Sequence, residues 1–220
     1  KPHPVQEVQF LTTHVDDALG GTFKLSFKDA ITYALPAEVS AHDMKLALEY
    51  LPTIGSVYIE RDLLGSTSVA FSNTYNVELN NPMIISADAV GLSVGDWITI
   101  DGHEEVYKVI EIVENVVEGG VHDEVLLNEE FHGSTATGVS VSKVTAVSNE
   151  IGFTYRIQFT SDAGDLPALE VEENLVTGTN AEVIVTSCDE YAEQILTISA
   201  DSGTFRLEYG GASTLDLVYE

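Results

Sequence analysis

The sequence contains few basic residues. Lys and Arg together number 9 against 36 Asp and Glu, which gives a formal net charge of −27 at pH 7. Proteins bind nucleic acid and anionic membranes largely by neutralising phosphates with Lys and Arg. We therefore expect neither nucleic acid nor a membrane surface as a partner. Acidic residues spread along the whole chain favour high solubility, contact with divalent cations or a saline exterior.

Cysteine and long apolar runs are also scarce. Cys188 is the only cysteine, so it forms no disulfide within the chain; a packed thiol and a crosslink between neighbouring molecules both stay open. No apolar run reaches the roughly 20 residues of a membrane-spanning helix, so we expect no membrane insertion. The sequence begins at Lys1 without Met or a signal peptide, which is typical of a processed form or an excised segment.

Zinc-binding and nucleotide-binding motifs are missing from the sequence. The six histidines are scattered and show no zinc-ligand spacing. There is no phosphate-binding loop and no dinucleotide fingerprint. We therefore predict a protein that is not an enzyme and needs no cofactor.

Calcium is the one ion that the composition favours. Clustered carboxylates supply the hard oxygen ligands that Ca²⁺ prefers. None of the clusters follows an EF-hand loop, and such residues are more often found in turns. The weak candidates are Asp16, Asp17, Asp162 and Asp165.

Short strands with one helix make up the predicted secondary structure. Residues 22–27 alternate apolar and polar side chains, as a half-buried strand does. Residues 40–51 instead carry an apolar stripe with helical spacing, and Ser40 is placed to cap this helix before Pro52 ends it. The sequence therefore predicts a mainly β fold, an Ig-like or β-sandwich-type domain with one covering helix.

The middle of the chain has a different pattern. Residues 65–147 contain five or six short strand signals without a helix, which is typical of a small β-barrel. The earlier strand style resumes afterwards. We therefore predict a discontinuous β domain made of residues 1–64 plus 148–190, interrupted by an inserted barrel.

The end of the sequence repeats its beginning. Gly21–Phe27 (GTFKLSF) returns as Gly203–Tyr209 (GTFRLEY), an offset of 203 − 21 = 182. Gln9–Thr13 likewise returns as Gln194–Ile198. Since the second copy stops at Glu220, partway into the repeat, residues 191–220 are predicted to start a next repeat or to connect subunits.

The order of these motifs carries a resemblance to a known family. The motif residues are Glu7, Gln9, Leu11, Thr12, Gly21 to Phe27, Met44-Lys45, Ala47-Leu48-Glu49, Leu51-Pro52, Ile54-Gly55, Val57, Tyr155 to Phe159, Gly164 to Leu169 and, in the inserted segment, Val94 to Ile100 with Phe131-His132-Gly133. The chain resembles a tandem Ig-like or filamin-like β repeat of large extracellular surface proteins of algae and related protists of the stramenopile type. The resemblance implies an extracellular, non-enzymatic architecture.

Two functions follow as expectations. The first is a structural repeat unit of an extracellular filament, appendage or cell-surface coat, joined head to tail to other copies by strand pairing. Its predicted assembly interface consists of Gln194, Ile195, Leu196, Phe205, Leu207 and Tyr209. The alternative is an adhesion module that recognises glycans or bridges through calcium. Trp97 could form a sugar-stacking platform in that case, although core packing suits it better.

Overall fold

The structure is a computed structural model that describes residues 6–86, 91–103, 105–117, 120–146, 151–162, 164, 166–187, 203–206, 208–209, 212–213 and 217–219. It is mainly β, with one helix among these residues. The chain divides into two compact units, one of residues 4–191 and one of residues 1–3 with 192–220.

The larger unit contains fourteen described strands and helix α1. In chain order these elements are β1 (Val8–Val15), β2 (Gly20–Phe27), β3 (Ala30–Ile31), β4 (Leu35–Pro36), α1 (Ala41–Glu49), β5 (Val57–Leu63), β6 (Ser66–Val77), β7 (Asn81–Ser86), β8 (Trp97–Ile100), β9 (Val106–Val117), β10 (Gly120–Phe131), β11 (Ala136–Ala146), β12 (Ile151–Phe159), β13 (Glu170–Thr177) and β14 (Glu182–Ser187).

Two open sheets and the helix form what we call the host domain. The first sheet has the strand order β14-β1-β12-β5, and the second has the order β13-β2-β3, with β4 also paired to β2. Every pairing is antiparallel. Side chains on β1 alternate between buried and half-buried, as the period of two in a strand requires.

Helix α1 confirms the single helix that the sequence predicts. The Ser40 hydroxyl accepts a hydrogen bond from the Asp43 backbone N–H at 3.0 Å, so the predicted cap is formed. Met44, Ala47 and Leu48 are fully buried on one face. The helix therefore covers the host core with the apolar stripe seen in the sequence.

The host core takes side chains from both sheets and from α1. Leu11 on β1, Phe23 on β2 and Tyr155 on β12 are fully buried in the same cluster as the apolar face of α1. Each such side chain contributes about 1.5–3 kcal/mol through burial. Because distant parts of the sequence share this core, the strands on either side of the barrel belong to one packed structure.

A closed six-stranded barrel lies between β5 and β12 in the sequence. Its strand order is β10-β7-β6-β11-β8-β9, with β9 pairing back to β10. It encloses a separate apolar cluster that includes Tyr75 and Ile98. The chain leaves the host at β5 and returns at β12, where Phe153 is paired with Leu63, so the entry and the exit are adjacent. The predicted small barrel is thus present within residues 66–146.

The C-terminal unit contains four short described strands. These are β15 (Gly203–Phe205), β16 (Glu208–Tyr209), β17 (Ala212–Ser213) and β18 (Leu217–Tyr219). β15 pairs with β18, and β16 pairs with β17, both antiparallel. Across the described residues of the whole chain, α1 is the only helix, and it lacks the length and apolarity that a membrane span requires.

Candidate functional site

A buried ion-pair network joins the barrel to the host domain. Arg61 on β5 is 1% exposed, and its Nε donates a hydrogen bond to the carboxylate of Glu105, which precedes β9. Its Nη2 donates to Glu129 Oε1 on β10 at 3.0 Å. We call these three residues the seam. One host cation is thus shared by two barrel carboxylates.

Backbone groups satisfy the remaining donors of Arg61. Its Nη1 donates to the carbonyl oxygens of Glu38 and Val39 at 2.9 and 3.0 Å, and its Nη2 donates to that of Val106 at 2.9 Å. The guanidinium also lies 4.7 Å from the centre of the Phe153 ring. A buried arginine with all of these contacts is fixed in position.

Glu105 is held as firmly as its partner. Its Oε2 accepts the backbone N–H of Ala41, the first residue of α1, at 2.7 Å. A barrel carboxylate therefore bonds to the amino end of a host helix, where negative charge is favoured. Burial raises the pKa of Glu105 to about 7, although the nearby charge of Arg61 acts in the opposite direction.

The sequence reasoning missed the seam, although one signal points to it. Val57 and Ile59 face the core on β5, and Arg61 continues the same period-two pattern. A cation at an inward position of a strand predicts a buried carboxylate partner. The partners could not be chosen, because the acidic residues of the chain are so numerous.

A cavity of about 240 Å³ lies beside the seam and is lined by host and barrel residues. The rings of His42 on α1 and His132 after β10 stack at its wall, with centres 3.8 Å apart. His103 Nδ1 lies 3.0 Å from the Tyr107 hydroxyl. Three histidines that look scattered in the sequence are therefore brought together around one cavity.

In the described part of the chain, no group of three or more His, Cys, Asp or Glu residues has a metal-binding arrangement. Burial, together with the charge of His132, lowers the pKa of His42. The two stacked imidazoles form a packed contact between α1 and the barrel.

Trp97 packs where the barrel meets the host, as its core interpretation predicts. Its ring meets that of Phe153 edge to face, with centres 5.5 Å apart, and it packs against the host core. Lys108 Nζ lies 5.7 Å from the centre of the Trp97 ring. These contacts occupy the ring that a sugar-stacking platform would need.

The calcium candidates at the end of β1 are engaged in a loop contact. Asp17 Oδ1 accepts the backbone N–H of Thr179, and Asp17 Oδ2 accepts its hydroxyl, both at 2.7 Å. Asp16 Oδ2 accepts the Asn180 side-chain amide at 2.6 Å. The two carboxylates therefore tie β1 to the β13–β14 turn.

Asp162, another of the calcium candidates, lies at the opposite end of the sheet. Asp162 follows β12, and its Oδ2 accepts the Ser161 hydroxyl at 3.0 Å. Because β12 runs antiparallel to β1, this end is about 25 Å, the length of an eight-residue strand, from Asp16 and Asp17. Asp165 lies outside the described residues.

We expect Asp17→Ala to lower the thermal midpoint at pH 7, because the bonds to Thr179 and to the Ala18 N–H are lost. The hydrogen bond from the Thr179 hydroxyl has the largest effect on the pKa of Asp17 and lowers it from its ordinary value of 3.8. Hydrogen bonds from backbone N–H groups lower this pKa further. Its stabilising contribution is therefore present above that value and is lost as the pH falls through the folded-state pKa. Melting curves recorded across acidic pH should show variant and wild type converging.

A matched control for Asp17→Ala is Asp101→Ala, at an exposed turn of the barrel. This variant should melt like the wild type. Melts with and without EDTA separate the two explanations of Asp17. If EDTA lowers the wild-type midpoint to that of Asp17→Ala, a bound cation rather than the loop contact is responsible.

The C-terminal unit repeats strand pairings of the host domain. In the host, Thr22 pairs with Pro36 and Phe23 with Leu35, while Ser26 pairs with Ile31 and Phe27 with Ala30. Adding 182 to each number gives four pairs that are observed: Thr204 with Val218, Phe205 with Leu217, Glu208 with Ser213 and Tyr209 with Ala212. The sequence repeat is thus also a repeat of strand register.

The repeat extends through the last residue of the sequence. Residues 203–220 are identical to residues 21–38 at 8 of 18 positions. Thr32 is one of these positions, and in the host its hydroxyl accepts the Leu25 backbone N–H at 3.0 Å. Thr214 repeats it in the sequence.

The predicted assembly residues are described only in part. Phe205 lies on β15 and Tyr209 on β16, and both have strand partners within the C-terminal unit. Gln194, Ile195, Leu196 and Leu207 lie outside the described residues, as does the thiol candidate Cys188.

The chain was compared with protein-family models and with curated proteins, and no model and no protein of either kind matches it.

Proposed function

We propose that this chain is a non-enzymatic structural repeat unit of an extracellular filament, appendage or cell-surface coat, joined head to tail through its C-terminal segment. The observation that carries the proposal is the repeated register, since the described strands within residues 203–219 pair as their counterparts within residues 21–37 do. In a tandem array, one domain begins where the previous domain ends, and the repeated register has this arrangement.

The fold of the host domain supports the same proposal. Two antiparallel sheets contribute to one core that α1 covers, an arrangement that suits an Ig-like β-sandwich. Such domains are common in large surface proteins, in keeping with the resemblance noted in the sequence. The proposed partners are other copies or neighbouring repeats.

The seam also suits a unit that must keep its shape under tension. Arg61 fixes the barrel to the host with two carboxylates, and Glu105 ties the barrel to α1. A barrel fixed in one orientation gives every repeat the same shape. The net charge of −27 opposes lateral clumping of such repeats by mutual repulsion.

Immunogold electron microscopy of intact source cells tests this function. Antibodies raised against the purified chain should label structures outside the cell, with gold particles along fibres or across a coat. Antibody adsorbed beforehand with the chain is the control and should give no label. Labelling that appears only after the cells are permeabilised would contradict the extracellular structural role.

The alternative, a module that binds glycans or bridges through calcium, has less support. The ring of Trp97 is engaged by Phe153, and the carboxylates of Asp16 and Asp17 bond to the β13–β14 turn. A glycan array probed with the fluorescently labelled chain tests it, with and without Ca²⁺. Saturable binding to one glycan class would favour the alternative.

A further inference from the structure

The repeated register identifies the counterpart of an edge that pairs with β13 in the host domain. In the host, β3 and β4 pair along one edge of β2, and β13 pairs along the other. The C-terminal unit has counterparts of β2, β3 and β4. Along the edge that corresponds to β13, the described residues of this unit show no strand pairing.

We propose that this edge binds a strand with the chemistry of β13, supplied by a second copy of residues 39–187, so that residues 203–219 begin a second host domain. The inference rests on the proposed function only in treating the chain as a repeat unit. It adds the identity of the partner segment and its register.

The host pairing sets the expected register. On β13, Glu173 lies opposite Lys24 and Asn174 opposite Phe23. Carried over by 182, these pairs place Arg206 opposite Glu173 of the second copy and Phe205 opposite its Asn174. The register therefore assigns a specific partner to each residue of the new edge.

Charge supports this register. In the host, Lys24 Nζ lies 2.6 Å from Glu173 Oε2, so the two strands are joined by an ion pair across the ladder. Arg206 occupies the place of Lys24 and keeps its charge. β13 is itself an acidic strand, with Glu170, Glu172 and Glu173 among its eight residues. A basic residue at position 206 therefore favours an acidic strand opposite it.

Apolar surface supports the same partner. Phe23, Leu25 and Phe27 on β2 are at most 2% exposed, because α1 and both host sheets cover them. Their counterparts in the C-terminal unit of the same chain are Phe205, Leu207 and Tyr209. Two-stranded pairings on their own are only marginally stable in water, and in the host domain further layers cover these positions. A second copy of residues 39–187 supplies that layer, since it contains α1 as well as β13.

Competition between strands favours a partner segment from the same polypeptide over one from a separate molecule. In an intact second molecule, β13 is already paired with its own β2, which is held nearby by the chain. The repeated strand of another molecule would have to displace β2 from β13. This exchange is disfavoured, because β2 is tethered to β13 by the chain and so has the higher effective concentration. The direct arrangement places the second copy of residues 39–187 after Glu220, which repeats Glu38.

Disulfide trapping tests the inference in a tandem chain, in which the complete sequence is followed directly by a second copy of residues 39–191. Cys188 is replaced by Ser in both copies. Arg206→Cys is combined with Glu173→Cys of the second copy, a pair that the register places directly opposite. The control combines Arg206→Cys with Leu175→Cys of the second copy, two residues out of register, where the Cβ separation of about 7–8 Å exceeds disulfide range.

The matched pair should crosslink at least about ten-fold more than the control, because only its Cβ atoms come within the roughly 4 Å that a disulfide requires. Non-reducing gels and peptide mass mapping give the yields. Equal yields, or a higher yield in the control, would overturn the inference.

The unextended chain with Arg206→Cys and Glu173→Cys gives a second reading. A crosslink between two molecules at this pair supports the register, with the partner strand supplied by exchange. A crosslink within one molecule would overturn the inference, because Glu173 would then leave Lys24. None of these outcomes depends on immunogold labelling, so failure of the register and failure of the extracellular role can be told apart.

Discussion

Replacing Arg61 by Met is expected to lower the free energy of unfolding by about 3–5 kcal/mol, because the variant keeps the buried carboxylate of Glu105 but loses its cation. Backbone carbonyls that accept from the guanidinium also lose their partner. Urea unfolding at pH 7.5, followed by Trp97 fluorescence, measures the loss, since this ring lies where the barrel packs on the host.

Arg156→Met is the matched control. Arg156 lies on β12, next to β5, and pairs with Glu60 at 3.2 Å, but both side chains are more than a third exposed. Such an exposed pair contributes at most about 1 kcal/mol. Equal losses in Arg61→Met and Arg156→Met would show that the seam does not carry the stability assigned to it.

The pH dependence gives a further check on the seam. Burial raises the pKa of Glu105 to about 7 from its ordinary 4.5. The folded state holds the proton of Glu105 more tightly than the unfolded state does, so protonation of Glu105 stabilises the fold. This stabilisation is fully present below the unfolded-state pKa and is lost as the pH rises through about 7. The Arg61→Met loss should therefore shrink in acid, where Glu105 takes up a proton. Glu105→Gln should flatten this part of the pH profile.

Local patterns predicted much of the fold. The apolar stripe and Ser40 located α1, because a helix face and its cap are set by residues a few positions apart. The helix-free strand pattern of residues 65–147 predicted a barrel for the same reason. The repeat of Gly21–Phe27 at Gly203–Tyr209 was visible directly in the letters.

Contacts that depend on tertiary placement were not predictable from the sequence. Arg61 and Glu105 are 44 residues apart, and they meet only because the barrel packs back onto α1 and β5. His42 and His132 stack for the same reason. The weak calcium candidates Asp16 and Asp17 were recognised as clustered carboxylates, but their bonds to the β13–β14 turn depend on the pairing of β1 with β14.

Gly21→Ala is the second change with a large expected effect, and it tests the close approach of β13 to β2. Gly21 has φ +79°, and a Cβ built there would lie 2.1 Å from the Leu175 carbonyl oxygen. The left-handed backbone alone costs a side chain about 1–2 kcal/mol, and overlap with backbone atoms adds to it because neither strand moves freely. We expect a total loss of at least about 3 kcal/mol in urea unfolding.

Gly138→Ala separates the two causes, because Gly138 also has a positive φ, +69°, but a Cβ added there would meet no atom within 4 Å. Its loss should therefore be only the backbone part, about 1–2 kcal/mol. The excess in Gly21→Ala then measures how tightly β13 packs on β2. Without such an excess, the register of β13 on β2 would be wrong. The assignment of β13 as the partner of the repeated strand that begins at Gly203 would then have no basis, because it is taken from the pairing of β13 with β2.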